Sequence, residues 1–261
     1  MDSKPFLGVV HLHALPSSAG QACVFGAVVE QAMQDARTLV AGGVDGVMVE
    51  NFGDAPFHKG TREDPVPPDV PAGLAVVADR IRRECGVSVG INCLRNDGVA
   101  ALGAAAVSGA RWIRINVLTG SYVTDQGVID GEAARVQAYK NQLGCDVEIL
   151  ADFMVKHASP LGSLDPVVGA RDLAQRSGAS ALILTGDRTG SGVDLEFLKA
   201  IRMAVEGFPV WIGSGLSPES AQQLWPLCDG AIVGSSLQAG GMAGQPVELE
   251  RVRAMRAALL V

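Results

Sequence analysis

Two glycine-rich tripeptides near the C-terminal end of the chain could bind an anion. Gly213-Ser214-Gly215 and Gly234-Ser235-Ser236 each follow a short aliphatic run. Glycine lets backbone N–H groups approach a phosphate closely, and serine hydroxyls add further donors. The tripeptides could instead only permit tight turns between a strand and a helix. Two such loops in succession favour phosphate binding, because barrel proteins commonly bind phosphate after their last two strands.

A carboxylate in an apolar setting could carry out proton transfer. Asp152 ends the apolar run at 149–152, where burial of a charge is costly unless a cation pairs with it. Arg114, Lys156 or His157 could be that partner. The carboxylate would then suit a general base that removes a proton next to a carbonyl, with the cation stabilising the enolate oxygen. Asp152 could equally cap the following loop, and Lys156 could instead form a Schiff base.

The segment His11-Leu12-His13 has a spacing that could bind a metal. Side chains alternate along a strand, so both imidazoles would lie on one side, and Glu50 or Asp152 could complete a divalent site. Against this, the later strands lack a clear histidine and aspartate set. We assign no metal ligand, leave a divalent cofactor open, and keep the alternative of one functional and one packed histidine.

Polar residues at the predicted strand ends form the candidate site. The predicted catalytic residues are His13, Glu50, Asp152 and Lys156. The predicted substrate-binding residues are His11, Asn92, Arg114, Asn116, His157 and Thr185. The predicted phosphate-binding residues are Gly213, Ser214, Gly215, Gly234, Ser235 and Ser236. We expect all of them at one mouth of a barrel, because active sites there are built at the carboxyl ends of the strands.

The elements that must position these residues alternate regularly. Eight aliphatic runs predict strands at 6–13, 44–51, 87–94, 110–117, 146–153, 179–186, 209–215 and 229–236. Helical spacing predicts helices at 24–40, 72–84, 97–107, 131–143, 166–176, 195–205 and 218–225. Continuous apolarity is typical of parallel strands buried on both faces. The alternation predicts a single (β/α)8 TIM barrel over residues 1–261, with an open doubly wound sheet as the alternative. The loops 119–131 and 185–194 are candidate lids.

Composition narrows the class of ligand and the cellular location. The net charge is −7, and only five of the 21 basic residues are lysine, so we expect no nucleic-acid partner. Five scattered cysteines argue against a disulfide framework and favour a reducing cytoplasm. The N-terminus lacks a signal-peptide core or membrane span, so we expect no integral membrane segment. A homo-oligomer is left open.

Seven phrases of the sequence resemble the BtpA/SgcQ family. They are FLGVVHLHALP, GGVDGVMVENFGDAPF, YVTDQGVIDG, ILADFMVKHASPLG, LILTGDRTG, VWIGSGLSPES and DGAIVGSSL, and the match runs from about residue 6 to residue 253. The family is similar to the ribulose-phosphate-binding barrels, which implies a TIM barrel with a phosphate ligand. Its name comes from photosystem I biogenesis, and other members accompany sugar-uptake systems. The epimerase branch of those barrels has a metal-binding aspartate where this chain has Gly213 to Gly215, which argues against a pentulose-phosphate epimerase.

Three functions are compatible with this pattern. The leading hypothesis is an isomerase or aldolase-like lyase that moves a proton next to a carbonyl of a small phosphorylated sugar or related metabolite. The second is a non-catalytic assembly or regulatory factor, of the photosystem I biogenesis type, whose phosphate pocket senses a ligand. The third is a metal-dependent hydrolase.

Overall fold

The structure is a computed structural model that describes residues 4–20, 23–155, 157–186 and 192–260. Its strands, in chain order, are β1 (Phe6–His11), β2 (Gly46–Glu50), β3 (Ser88–Asn92), β4 (Trp112–Ile115), β5 (Ser121–Thr124), β6 (Gly127–Asp130), β7 (Glu148–Phe153), β8 (Ala158–Pro160), β9 (Ala181–Leu184), β10 (Val210–Ile212) and β11 (Gly230–Val233). Eight of them close into a barrel in the order β1-β11-β10-β9-β7-β4-β3-β2. All eight neighbouring pairs are parallel. This confirms the predicted barrel, because β1 pairs with both β2 and β11 and the sheet has no open edge.

Helices follow the barrel strands around the outside. They are α1 (Phe25–Gly42), α2 (Asp69–Cys85), α3 (Gly98–Ser108), α4 (Ala133–Leu143), α5 (Pro166–Arg176), α6 (Leu195–Ala204), α7 (Pro218–Leu224) and α8 (Leu249–Leu259). The first seven confirm the predicted helices to within a few residues, whereas the sequence analysis did not predict α8. Asp194 caps α6 by accepting a hydrogen bond from the N–H of Phe197 at 2.7 Å. No helix in the described part of the chain has the length and apolarity needed to cross a membrane.

A small antiparallel sheet lies outside the barrel and was not predicted. Residues 119–131, predicted as a lid loop, contain the hairpin β5–β6, and β8 pairs with the other edge of β5. Tyr122 and Ile129 of the hairpin form a buried apolar cluster with Val117 and Val155. The hairpin is therefore anchored by packing. The second predicted lid, 185–194, lies mostly outside the described residues.

Two tryptophans fill the middle of the barrel. Trp112 of β4 and Trp211 of β10 meet edge to face, with ring centroids 6.2 Å apart. Glycines of β11 and β2 make the room for them: a Cβ on Gly230 would lie 2.6 Å from Cε2 of Trp211, and one on Gly46 would lie 3.1 Å from Cζ3 of Trp112. The interior is a packed apolar layer, as expected for this fold.

A polar layer follows this apolar layer at the carboxyl ends of the strands. The register pairs His11 with Glu50, Glu50 with Asn92, and Asn92 with Arg114. Because side chains alternate along a strand, each of these residues stands two positions beyond an inward-facing residue of the apolar layer. The barrel thus places four polar side chains next to one another at one mouth.

Helix α8 closes the ring of helices by packing on α1, and this contact generates a prediction. A Cβ on Gly42 would overlap Cβ and Cγ1 of Val252 in α8. We expect Gly42→Ala to lower the free energy of unfolding by about 1–3 kcal/mol, because rotation of the Val252 side chain cannot move its Cβ away from the new methyl group. Urea unfolding measures this change in stability.

Gly26→Ala in the first turn of the same helix is the matched control. A Cβ there would meet no atom within 4 Å. It should leave the stability unchanged or raise it by up to about 1 kcal/mol, the difference in helix propensity. Equal effects of the two substitutions would contradict the described packing of α8 on α1.

Candidate active site

A cavity of about 140 Å³ opens at the carboxyl end of the barrel. It brings together most of the predicted site residues, namely His11, Glu50, Asn92, Arg114, Asn116, His157, Gly213, Ser214, Gly215, Gly234, Ser235 and Ser236. Phe52, Phe57 and Arg95 also line it. The predicted strand ends therefore meet at one place, and the cavity combines basic, acidic and glycine-rich walls.

Arg114 crosses the polar layer and forms a buried ion pair with Asp152. Its Nη2 lies 3.0 Å from Oδ1 of Asp152 and its Nε 3.1 Å from the same oxygen, while Nη1 lies 3.6 Å from Oε1 of Glu50. The side chain of Asp152 is fully buried, and that of Arg114 is 5% exposed. Burial disfavours the charge of Arg114, but the carboxylates of Asp152 and Glu50 outweigh it and raise the pKa of the guanidinium.

Gly213 provides the room for this arginine. A Cβ on Gly213 would lie 3.1 Å from Nη2 of Arg114 and would overlap Cγ2 of Ile183. A larger residue at the end of β10 would push the guanidinium away from Asp152. The glycine after β10 therefore has a packing role, in addition to any role in binding a ligand.

His11 is held by the loop that follows β11. Nε2 of Gln238 lies 2.7 Å from Nδ1 of His11, and the N–H of Gly244 lies 3.3 Å from the same nitrogen and 3.1 Å from Oε1 of Gln238. A backbone N–H can only donate, so both Nδ1 and Oε1 act as acceptors and Nε2 of Gln238 must donate. The proton of the neutral imidazole is thereby assigned to Nε2. The ring of Phe52 packs on the imidazole at 4.5 Å between centroids.

Glu50 is the one carboxylate among the described residues that line the cavity. Its Oε1 accepts a hydrogen bond from Nδ2 of Asn92 at 3.0 Å, and its Oε2 lies 3.7 Å from Nε2 of His11. A carboxylate, an imidazole N–H and a guanidinium thus meet at one wall. This combination can take a proton from carbon and stabilise the negative oxygen that results.

Two polar groups of the glycine loops already form hydrogen bonds within the protein. The N–H of Gly213 donates to the carbonyl of Leu184 at 2.7 Å, and the hydroxyl of Ser236 donates its one hydrogen to the carbonyl of Leu216 at 2.8 Å. These two groups already have partners within the protein, so the predicted phosphate binding at Gly213 and Ser236 would have to use other atoms, and it stays a prediction. The Ser236 hydroxyl instead ties the loop after β11 to the loop after β10.

Other donors of the same loops remain available. Within the described ranges, no group of the protein accepts a hydrogen bond from the backbone N–H of Ser214, Gly215, Gly234, Ser235 or Ser236, and all five residues line the cavity. The hydroxyl of Ser214 accepts from the N–H of Gly186 at 3.2 Å and keeps its own hydrogen to donate. This wall is rich in neutral donors.

Four predicted residues are not part of the cavity wall as described. His13 is exposed, because β1 ends at His11 and the alternation of side chains does not continue to residue 13. Asp152 lies behind Arg114 and is fully buried, with no solvent-facing oxygen to act as a base. Thr185 lines a neighbouring cavity with Met154 and Phe197. Lys156 lies outside the described residues.

The metal site suggested by the histidine pair is not assembled in the described part of the chain. No group of three histidine, cysteine, aspartate or glutamate side chains there is arranged to hold a metal ion. The two histidines diverge, since His11 is buried against Gln238 and His13 faces solvent. The structure gives the metal-dependent hydrolase no support.

The sequence analysis assigned no role to two residues of this site. Arg95 lines the cavity and is buried, which lowers the pKa of its guanidinium despite the nearby charge of Asp152. Its position directly after β3 was a usable signal. Gln238 contacts His11 across 227 positions of the chain, and nothing in the local sequence marks it.

Comparisons with known proteins agree with this fold. A sequence model of the BtpA family matches residues 2–259. The photosystem I biogenesis protein BtpA of Synechocystis sp. is 45% identical over 251 residues, which are 96% of this chain and 86% of that protein. A protein of Archaeoglobus fulgidus is 40% identical over 250 residues, 96% of each chain.

Solved structures with the same fold share little sequence with this chain. Phosphoribosyl anthranilate isomerase of Thermus thermophilus superposes with a TM-score of 0.57 at 15% identity over 98% of both chains. Orotidine 5'-phosphate decarboxylase of Pyrococcus horikoshii gives 0.57 at 16% identity over 98% of this chain and 99% of that one. At this level of sequence identity, the similarity shows a shared barrel fold and nothing more.

The ion pair of Arg114 and Asp152 generates a prediction about stability. Asp152→Asn should lower the free energy of unfolding by about 3 kcal/mol, because the buried guanidinium loses its main counter-charge and meets the N–H groups of an amide. Asp172→Asn is the control, since this aspartate is 58% exposed and 3.9 Å from Arg176. It should change stability by less than about 0.5 kcal/mol. Equal stability of Asp152→Asn and the unmodified protein, measured by urea unfolding, would contradict the role of Asp152 in holding Arg114.

Proposed function

The chain belongs to the BtpA family, and we propose that its barrel is an enzyme that binds a small phosphorylated metabolite and moves a proton next to a carbonyl group. The observation that carries the proposal is that two kinds of group line one cavity. Backbone N–H donors of the loops after β10 and β11 form the donor wall, and the side chains of Glu50, His11 and Arg114 form the second wall beside it. A ligand that spans the cavity would place its phosphate at the first wall and its reacting carbons at the second.

The donor wall supports the phosphate part of the proposal. The protein has a net charge of −7, so an anion must be attracted by local groups. Five backbone N–H groups from the loops after β10 and β11 have no acceptor among the described residues. Oriented backbone amides of this kind bind phosphate in many proteins. Two structural neighbours are also named for phosphorylated compounds, a phosphoribosyl anthranilate and orotidine 5'-phosphate.

The second wall supports proton transfer. Glu50 would take a proton from the carbon next to the carbonyl, and the electron pair of that C–H bond would move to the carbonyl oxygen. The N–H at Nε2 of His11 and the charge of Arg114 would stabilise this oxygen. Where that carbon also carries a hydroxyl group, the hydroxyl proton would move to the enolate oxygen and Glu50 would return its proton to the former carbonyl carbon. The carbonyl group then stands one carbon along, and the isomerisation is complete. In this proposal Asp152 is a positioning residue, because it holds Arg114 and does not reach the ligand.

A second candidate function rests on a different observation. The protein of Synechocystis sp. that is 45% identical to this chain is named for photosystem I biogenesis. A barrel of this family could act in assembly without turnover and use the cavity to sense a phosphorylated ligand.

We also propose a cytoplasmic location, which is supported by five cysteines that are all unpaired thiols.

Phosphate binding can be tested with a pair of variants that separate charge from size. Ser235 lines the cavity and is half-buried. Ser235→Asp should weaken binding of inorganic phosphate by more than about tenfold through charge repulsion, whereas the similarly sized Ser235→Asn should change it by less than about threefold. Isothermal titration calorimetry measures both. If the unmodified protein binds neither inorganic phosphate nor any sugar monophosphate, the phosphate site is refuted.

Proton transfer can be tested by solvent exchange before the full reaction is known. In D₂O, the unmodified protein should exchange the hydrogen next to the carbonyl of at least one ketose or aldose monophosphate, as followed by proton NMR. Glu50→Gln should slow this exchange by about 100-fold or more while phosphate binding persists, because only the base is lost.

Glu196→Gln, at an exposed position of α6, is the control and should exchange at the normal rate. Exchange at the normal rate in Glu50→Gln would show that Glu50 is not the base. Phosphate binding without exchange in any member of the panel would instead favour the sensing function.

A further inference from the structure

We infer that Asn116 selects ligands that carry a hydroxyl group next to the reacting carbons, so that the substrate class is a hydroxylated phosphate ester. The inference deepens the proposed function and rests on it. It starts from one atom, Oδ1 of Asn116, which is buried and accepts no hydrogen bond from any described residue. The residue is 5% exposed and lines the cavity.

The orientation of the Asn116 amide follows from its neighbour. Its Nδ2 lies 2.6 Å from Oδ2 of Asp152, and a carboxylate can only accept hydrogen bonds. The NH₂ group must therefore face Asp152, and the carbonyl oxygen must face away from it. Asp152 is itself held by Arg114. The buried ion pair thus fixes Oδ1 of Asn116 as an acceptor.

A fixed and buried acceptor discriminates between ligands. Leaving a buried acceptor without a donor costs about 1–3 kcal/mol, so a ligand that supplies an O–H gains over one that places a methylene there. A site built to hydrogen-bond a hydroxyl rejects the analogue that lacks it far more strongly than an apolar pocket rejects an extra group.

The charges around Asn116 favour a ligand hydroxyl over a ligand ammonium group as the donor to Oδ1. Arg95 and Arg114 line the same cavity. The Asp152 carboxylate beside Asn116 already pairs with Arg114. A further cation would lie next to two guanidinium groups, whereas a neutral hydroxyl adds no repulsion. Proton transfer at Glu50 would also take place at a carbon next to a carbonyl, where a sugar phosphate carries such hydroxyl groups.

The test uses matched pairs of phosphate esters. Each hydroxylated compound, from glycerol phosphate to hexose monophosphates, is paired with the alkyl or deoxy phosphate that lacks one or more hydroxyls. Calorimetry should give an affinity at least about tenfold higher for the hydroxylated member of at least one pair. In Asn116→Leu, which keeps the size but removes the acceptor, that preference should fall to less than about threefold while inorganic phosphate binds as before.

Folding is checked by thermal unfolding, since leucine also removes a hydrogen bond to Asp152. Asn116→Ser, which is smaller and cannot reach as far, serves if Asn116→Leu fails to fold and should lose the same preference. Phosphate binding without preference in the unmodified protein, or a preference retained in a folded Asn116 variant, overturns the inference and leaves the phosphate site standing. Absence of all phosphate binding overturns both.

Discussion

Arg114 carries a positive charge into the interior of the barrel mouth, where it must be balanced within a few ångströms because water cannot solvate it. Asp152 supplies the balance through contacts at 3.0 and 3.1 Å, and Glu50 adds a weaker one at 3.6 Å. Gly213 leaves the room that the guanidinium needs. The orientation of the Asn116 amide follows from Asp152, and the position of Arg114 beside Glu50 follows from the same pair. One buried ion pair therefore determines where the acidic, basic and accepting atoms of the cavity lie.

The two walls of the cavity differ because one is built from strand side chains and the other from the backbone of glycine loops. Strands β1 to β3 end in polar side chains, and β4 carries Arg114 one residue before its end. The register places these four side chains in one ring. Strands β10 and β11 are each followed directly by a glycine, which contributes backbone in place of a side chain. The loop after β11 then returns over the mouth and holds His11 through Gln238 and Gly244. A compact ligand with one anionic end and one reactive end matches this asymmetry.

The barrel could be predicted because its signal is local and repeated: each buried parallel strand is a continuous aliphatic run, and most helices begin or end at a recognisable cap. Helix α8 was missed because Glu248 offers no side-chain cap at its start. The hairpin β5–β6 was missed because its strands are four residues long and each buries only one residue. Asp152 was correctly predicted to be paired with a cation, but its burial behind Arg114 depends on which way two side chains turn. His13 was misplaced because the strand ends two residues earlier than its apolar pattern.

A crystal structure of the protein grown with a ketose or aldose monophosphate would test the proposed site most directly. We expect the phosphoryl group between 213–215 and 234–236, within hydrogen-bond distance of the backbone N–H groups there. We also expect the carbonyl end of the ligand beside Glu50, with a hydroxyl facing Oδ1 of Asn116. A phosphoryl group bound against Arg95 and away from both glycine loops, or a cavity that stays without ligand at saturating concentration, would contradict the proposed function.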